Sequence, residues 1–369
     1  MQESTMFIGL DVHKESIDVA LAPSGLGEVR SYGRIAGDLE AVDRTIGRLG
    51  ISRARLNIVY EAGPCGYALY RHLKKKGIRC SVVAPSMIPK RSGDRIKTDR
   101  RDAVNLARLH RAGELTTVFV PGPEDEAVRD LSRSREDSVL ASKRARQQLG
   151  ALLLRQNIRY TGSKAWTQAH QRWLGRVAMP MPVQQIVFQE YVHAVDEAHQ
   201  RIERITEQLR QSVQSWRMAP VVQAFQALRG VSLVAAASIL AELGDLTRFD
   251  DPRCLMAFVG LVPSQYSSGP RQRLGAITKT GNSHARRMLV EAAWAYRFPA
   301  RVSRGLRDRQ ENLDQNVCEI AWKAQVRLCG KYRRLAAKGK IKQVITTAIA
   351  RELLGFMWAI AKEVKPLAA

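Results

Sequence analysis

Hydrophobic residues in the first 120 positions come in short, β-rich runs separated by turn formers. Met6 to Leu10, Ile17 to Leu21 and Glu28 to Ile35 predict three successive strands, the first two parted by Asp-Val-His-Lys and the next by Pro-Ser-Gly-Leu-Gly. The pattern then alternates. Helices are predicted over Asp38 to Leu49, Tyr67 to Lys76 and Thr98 to Ala112, with strands over Leu56 to Tyr60 and Cys80 to Val83 between them. Strands that first fold back and then alternate with helices predict an α/β domain on a mixed sheet.

Beyond Glu124 the periodicity becomes that of long helices. Glu124 to Gln156 is charged and rich in Ala, Leu, Arg and Gln. In Tyr191 to Trp216, Val195, Ile202, Leu209 and Trp216 recur every seventh position with Ile205 and Val213 on the flanking seam, a coiled-coil signature. Met179-Pro-Met-Pro182 separates the two helices, which either fold back as a hairpin or pair with another subunit. From Pro220 a helix, the glycine turn of Leu228-Arg-Gly-Val-Ser-Leu233 and a second helix to Leu243 form a helix-hairpin-helix-like start. Such a turn either offers backbone N–H groups to a phosphate or simply stops a helix. A turn-rich loop, Gly260 to Gly269, and helices over Asn282 to Tyr296 and Val344 to Lys362 complete the chain. The predicted organisation is an α/β domain over 1–122, a helical coiled-coil linker and assembly segment over 123–219, and a mostly α-helical C-terminal domain over 220–369.

Charge changes this picture from fold to partner. The 369 residues carry a net charge of +24, with 59 Lys and Arg against 35 Asp and Glu. Between Ser264 and Lys342 there are 18 basic residues and 5 acidic ones, a density that calls for a polyanion such as nucleic acid. The five cysteines are odd in number and scattered, so neither a disulfide framework nor a zinc site is predicted. The seven histidines show no ligand spacing, and a metal is expected on oxygen. No uninterrupted apolar run approaches 18 residues and the first residues lack a signal-peptide pattern, which predicts a cytoplasmic protein with no membrane partner.

Against this basic background four acids stand at element ends: Asp11 in Phe-Ile-Gly-Leu-Asp, Glu61 in Ile-Val-Tyr-Glu, and Asp99 and Asp102 in Lys97-Thr-Asp-Arg-Arg-Asp. If the first and fourth strands are neighbours, Asp11 and Glu61 meet at one end of the sheet. Asp99 and Asp102, at i and i+3, share one helix face. Converging carboxylates are what two-metal phosphoryl transfer requires, with Mg2+ or Mn2+ ions about 4 Å apart. The competing role for the helix pair is capping, with Asp99 at the N-cap and Asp102 in the first turn.

Phe-Ile-Gly-Leu-Asp11-Val-His-Lys, Tyr-Glu61-Ala-Gly-Pro-Cys-Gly and Lys97-Thr-Asp99-Arg-Arg-Asp102-Ala resemble the DEDD motifs of the bacterial insertion-sequence transposases related to the Piv/MooV DNA invertases. Ala257-Phe-Val-Gly-Leu-Val-Pro-Ser-Gln-Tyr-Ser-Ser268-Gly269, with Ile277-Thr-Lys-Thr-Gly-Asn282 and Arg286-Arg-Met-Leu289, resembles that family's C-terminal transposase domain. The resemblance covers essentially the whole chain. It implies an RNase H-like (RuvC-like) N-terminal domain whose metal ligands are Asp11, Glu61, Asp99 and Asp102. It further implies that Ser268, with Ser267 beside it, is the nucleophile that becomes linked to DNA. Two halves acting together across subunits, a dimer or tetramer on donor and target DNA, and for some members a structured noncoding guide RNA are also implied. Arg271, Arg273, Lys279, Arg286 and Arg287 surround the serine in sequence and suit phosphate contacts.

The function expected is thus a DNA transposase or site-specific recombinase. A RuvC-like Holliday-junction endonuclease would use the same carboxylates and leave the serine idle. A non-catalytic nucleic-acid-binding assembly protein would need the acids only as caps.

Overall fold

The computed structural model describes residues 5–89, 98–268 and 271–367. It divides into two compact units, Met1–Val120 and Pro121–Ala369. In the first, strands β1 (Met6–Val12), β2 (Ser16–Pro23) and β3 (Arg30–Ala36) precede helix α1 (Leu39–Leu49). Strand β4 (Leu56–Glu61), helix α2 (Ala68–Lys75), strand β5 (Arg79–Val83) and helix α3 (Asp99–Ala112) follow. The sheet order is β3-β2-β1-β4-β5, antiparallel across the first three strands and parallel from β1 to β4 to β5. This is the mixed sheet expected from the sequence.

Side chains alternate across such a sheet, so each strand serves two cores. Ile8, Leu10, Ile58 and Tyr60 pack with Leu69 and Leu73 of α2 on one face. On the other face Ala20 and Ala22 meet Ala103 and Ala107 of α3, and Val59 meets Leu106. Gly9 sets how close α3 comes: a Cβ there would stand 2.3 Å from the Ala103 carbonyl oxygen and 2.5 Å from the Ala107 nitrogen. Only glycine on the strand, facing alanines on the helix, permits that approach.

The second unit is mostly helical. Helix α4 (Pro123–Arg155), the short α5 (Gln168–Leu174) and α6 (Pro182–Ser215) form an arm, followed by α7 (Ala219–Phe225), α8 (Leu233–Leu243) and α9 (Pro252–Phe258). Strands β6 (Pro263–Ser268) and β7 (Arg271–Ile277) then form a two-stranded antiparallel sheet. Helices α10 (Ser283–Ala293), α11 (Arg304–Gln310), α12 (Gln315–Ala337) and α13 (Lys342–Glu363) close the unit.

Helices α4 and α6 fold back on each other. Val128 near the start of α4 shares a core with Leu209 and Val213 near the end of α6, while Leu149 and Leu152 share another with Phe188 and Val195. The heptad positions Val195, Leu209 and Trp216 are buried within this chain, the hairpin alternative of the two open from sequence. Asp125 fixes the arm's base: it accepts from Trp216 Nε1 at 2.8 Å and pairs with Arg217. Helix α13 contains an 18-residue window of mean hydropathy 1.5, but Ile345, Ile349, Leu353, Leu354, Met357 and Ile360 are buried in the unit's core. Its apolarity is that of a core helix.

Besides the short helices α5, α9 and α11, two features depart from the sequence reading. The stretch expected to be a loop, Gly260 to Gly269, carries strand β6, and β7 follows it. Tyr266 and Leu274 are exposed on this hairpin, so no apolar alternation marked it as a strand. Helix α12 was not anticipated, because small and polar residues such as Ala321, Ala324 and Gln325 fill part of its buried stripe.

Candidate active site

Asp11 is the penultimate residue of β1 and Glu61 the last of β4. The parallel register pairs Leu10 with Tyr60, and one residue further on each strand stand Asp11 and Glu61. Both alternate with residues that face α3, Gly9 on β1 and Val59 on β4, so period two assigns both acids to the α3 side.

Helix α3 supplies the other two. Thr98, not Asp99, is its N-cap, accepting from the Arg101 backbone N–H at 3.3 Å. The capping role considered for Asp99 is therefore filled by its neighbour, and Asp99 and Asp102 occupy the first turn. The positive end of the helix dipole favours negative charge at this place.

Asp99 comes to Asp11 through a residue that sequence reading passed over. His13 Nε2 lies 3.2 Å from Asp11 Oδ2 and 3.6 Å from Asp99 Oδ1. One ligand atom from each of Asp11, His13 and Asp99 lies within 4.8 Å of the others. An imidazole thus stands beside the acids expected to hold a metal on oxygen. The available signal was spacing: on a strand end, His13 at i+2 falls on the face of Asp11.

The electrostatics are those of crowded acids. Burial pushes the Asp11 carboxyl above its ordinary value; the hydrogen bond and charge of His13 oppose this, and the charges of Asp102 and Asp99 add to it. Among the described residues, burial and the two neighbouring acids outweigh His13 at Asp11. A carboxylate-rich set with one imidazole fits a hard divalent cation, which prefers oxygen donors. Two further residues were not found from sequence. Asp18, buried, is the cross-strand partner of Asp11, and Arg34 is the partner of Asp18 on β3.

The basic candidates are differently employed. Arg286 donates from one guanidinium nitrogen to the carbonyls of Val259 and Thr280, both at 2.9 Å, which ties down the 278–282 loop. Arg287 pairs with Glu136 of α4 at 2.5 Å. Lys279 is exposed and held at φ 56°, an uncommon conformation for a side-chain-bearing residue. Arg273 is exposed on β7 opposite Tyr266. Ser267, Ser268 and Arg271 have their backbones in the hairpin, with Ser268 in register with Arg271. Their side chains, like Lys97 and Gly269, lie outside the described residues.

Comparison with known proteins assigns a lineage to this arrangement. Residues 8–158 match the model DEDD_Tnp_IS110, described as a transposase, and residues 222–305 match the transposase IS116/IS110/IS902 family. The chain is 45% identical over 360 residues to a Sinorhizobium fredii protein named "Putative transposase y4qE", covering 97% of this chain and 89% of that one. The chain belongs to the IS110/IS116 family of transposases. The transposase for insertion sequence element IS1533 of Leptospira borgpetersenii is 32% identical over 91% of this chain and 98% of its own length. For an IS110/IS116 transposase the five-stranded mixed sheet with α3 on one face agrees with an RNase H-like DEDD domain, a domain that suggests divalent metal use.

Proposed function

We propose that this IS110-family transposase moves its element by metal-dependent transesterification on DNA, with Asp11, Glu61, Asp99 and Asp102 holding Mg2+ or Mn2+ and Ser268 as nucleophile. The convergence of Asp11 and Asp99 about His13, with the charge of Asp102 felt at Asp11, is the observation that carries the metal half. Bound there, the cation would neutralise charge building on the scissile phosphate. Ser268 Oγ attacks phosphorus and gives up its proton; the bond from phosphorus to a bridging sugar oxygen breaks, and that oxygen leaves as a hydroxyl. The seryl phosphodiester conserves the linkage for rejoining. Exposed Arg273 and Lys279 contact phosphates, and exposed Tyr266 offers a face for a base. For Arg271 the proposal rests on register with Ser268, and for Arg286 and Arg287 on shaping the hairpin's surroundings.

The remaining parts of the proposal rest on family resemblance and charge. The working divisions are 1–122, 123–219 and 220–369. The partners are donor and target DNA in the cytoplasm, a homo-oligomer of two or four chains, and a structured noncoding RNA as guide. The surplus of 24 positive charges supports polyanion partners without choosing between DNA and RNA.

The test is strand cleavage on a plasmid carrying the native element, with cellular RNA, in Mg2+, in Mn2+ and without either ion. Cleavage is expected only with an ion and only when Asp11, Glu61, Asp99 and Asp102 are intact. Cleavage that survives Ser268→Ala but not Asp11→Asn would instead identify a hydrolytic junction nuclease.

A further inference from the structure

Asp18 is a buried carboxylate outside the DEDD set, and among the described residues it pairs with Arg34, itself half exposed. Arg34 Nε donates to Asp18 Oδ2 at 2.9 Å, and one terminal nitrogen stands 2.8 Å from the same oxygen. That terminal nitrogen also donates to Asp99 Oδ2 at 2.8 Å. The two oxygens of Asp99 are thereby distinguished: Oδ2 is held by Arg34, while Oδ1 faces His13, which in turn contacts Asp11.

The backbone is shaped to make this contact. Asp11, Asp18 and Arg34 form one row across three strands through the pairs Asp11–Asp18 and Asp18–Arg34. Directly before Arg34 the ladder is irregular. Val19 pairs with Gly33 and Ala20 with Ser31, so Tyr32 is an extra residue, and Gly33 takes φ 128°, which favours glycine. A bulge of this kind re-aims the next side chain and bends the strand beside it.

We propose that Arg34, anchored on Asp18, is a positioning residue for the metal centre: it holds Asp99 by Oδ2 so that Oδ1 is presented toward Asp11. This rests on the metal-binding reading of the four acids. The chemistry is that of an outer partner hydrogen-bonded to a ligating carboxylate, which fixes its orientation before the cation arrives. Arg34 also supplies positive charge beside acids that otherwise repel, and the buried Asp18 keeps that guanidinium from swinging into solvent.

The experiment is Mn2+ binding to the full-length protein without DNA, measured by calorimetry or by the loss of the free-ion electron paramagnetic signal. Arg34→Ala and Asp18→Asn should each weaken binding about 10- to 100-fold, the usual range for removing such an outer partner. Arg34→Lys, which keeps the charge but not the fork, should fall between wild type and Arg34→Ala. The double variant should bind no worse than Arg34→Ala alone, because the two act as one unit. Ion-free melting curves accompany each variant, and the Lys variant keeps the test decisive if Asp18→Asn unfolds. Arg34→Ala that binds Mn2+ as well as wild type, or more tightly, overturns the proposal. Asp11→Asn that binds undiminished would bring down the metal centre itself, a different failure from that of Arg34.

Discussion

Asp11 in the first unit and Glu242 in the second are both sheltered acids in a basic chain, yet their surroundings push them in opposite directions. Burial alone would raise Glu242, but its hydrogen bonds to Arg133 and Asn282 hold it below the ordinary carboxylate range. Arg133 meets it with two nitrogens, at 2.6 and 2.8 Å, and Asn282, which also caps α10, adds a third donor. Glu352 is likewise lowered, burial opposing and Lys331 and Arg327 prevailing. Among the described residues Asp11 has His13 against burial and two nearby acids, and it is raised. Acids that fasten helices are matched by cations within the chain, whereas among the described residues burial and neighbouring acids prevail over His13 at Asp11, a perturbed carboxyl of the kind functional sites carry.

The sharpest way to break this contrast is to neutralise each acid. Asp11→Asn should lower cleavage on the order of 10³-fold, comparable to the loss of a transition-state electrostatic contact, with the fold retained; an active variant would show that the raised Asp11 carboxyl has no catalytic meaning. Next in size is Gly9→Val, whose added carbons collide with the α3 backbone and should cost about 1–3 kcal/mol or more. It should also weaken Mn2+ binding by moving Asp99 and Asp102 away; thermal unfolding with and without the ion separates the two effects. Glu242→Gln should cost about 1.5 kcal/mol through lost charged hydrogen bonds, seen as a lower melting temperature while Mn2+ affinity stays as in wild type.

Acidification gives the smallest and most discriminating effect. Glu242 has its pKa lowered from 4.5, so its contribution to stability is complete above that value and is lost as pH falls through the folded value. Asp11 has its pKa raised from 3.8, so its ionised form destabilises the ion-free fold above the raised value, and acidification relieves this. Without divalent ions, Asp11→Asn should therefore melt above wild type near neutral pH and Glu242→Gln below it, both differences shrinking as the pH falls. Shifts of the same sign would erase the distinction.

The sequence displayed more of the first unit than of the second because strand ends are marked twice, by hydrophobic runs and by the acids that stop them. Asp11 and Glu61 follow Leu10 and Tyr60, so the parallel pairing of those strands sets them at neighbouring strand ends. Asp99's helix was legible from its first-turn acids, although Thr98 turned out to be the cap. Asp18 and Arg34 were hidden for a physical reason: their pairing depends on cross-strand register and on a bulge at Tyr32, and neither leaves a local pattern. The β6–β7 hairpin was hidden because Tyr266 and Leu274 face outward and give no alternation. The seven-residue spacing in α6 was plain, but spacing alone does not choose between an internal partner and another subunit. Here α4 takes the seam.

The most direct measurement is a trap for protein joined to DNA: full-length protein, plasmid-borne element, cellular RNA and Mg2+ are mixed, denatured, and DNA still attached to protein is recovered. The account predicts an adduct in wild type that is absent in both Ser268→Ala and Asp11→Ala, with the linkage mapped to Ser268. Strand breakage with no adduct, or an adduct that persists in Ser268→Ala, would contradict it.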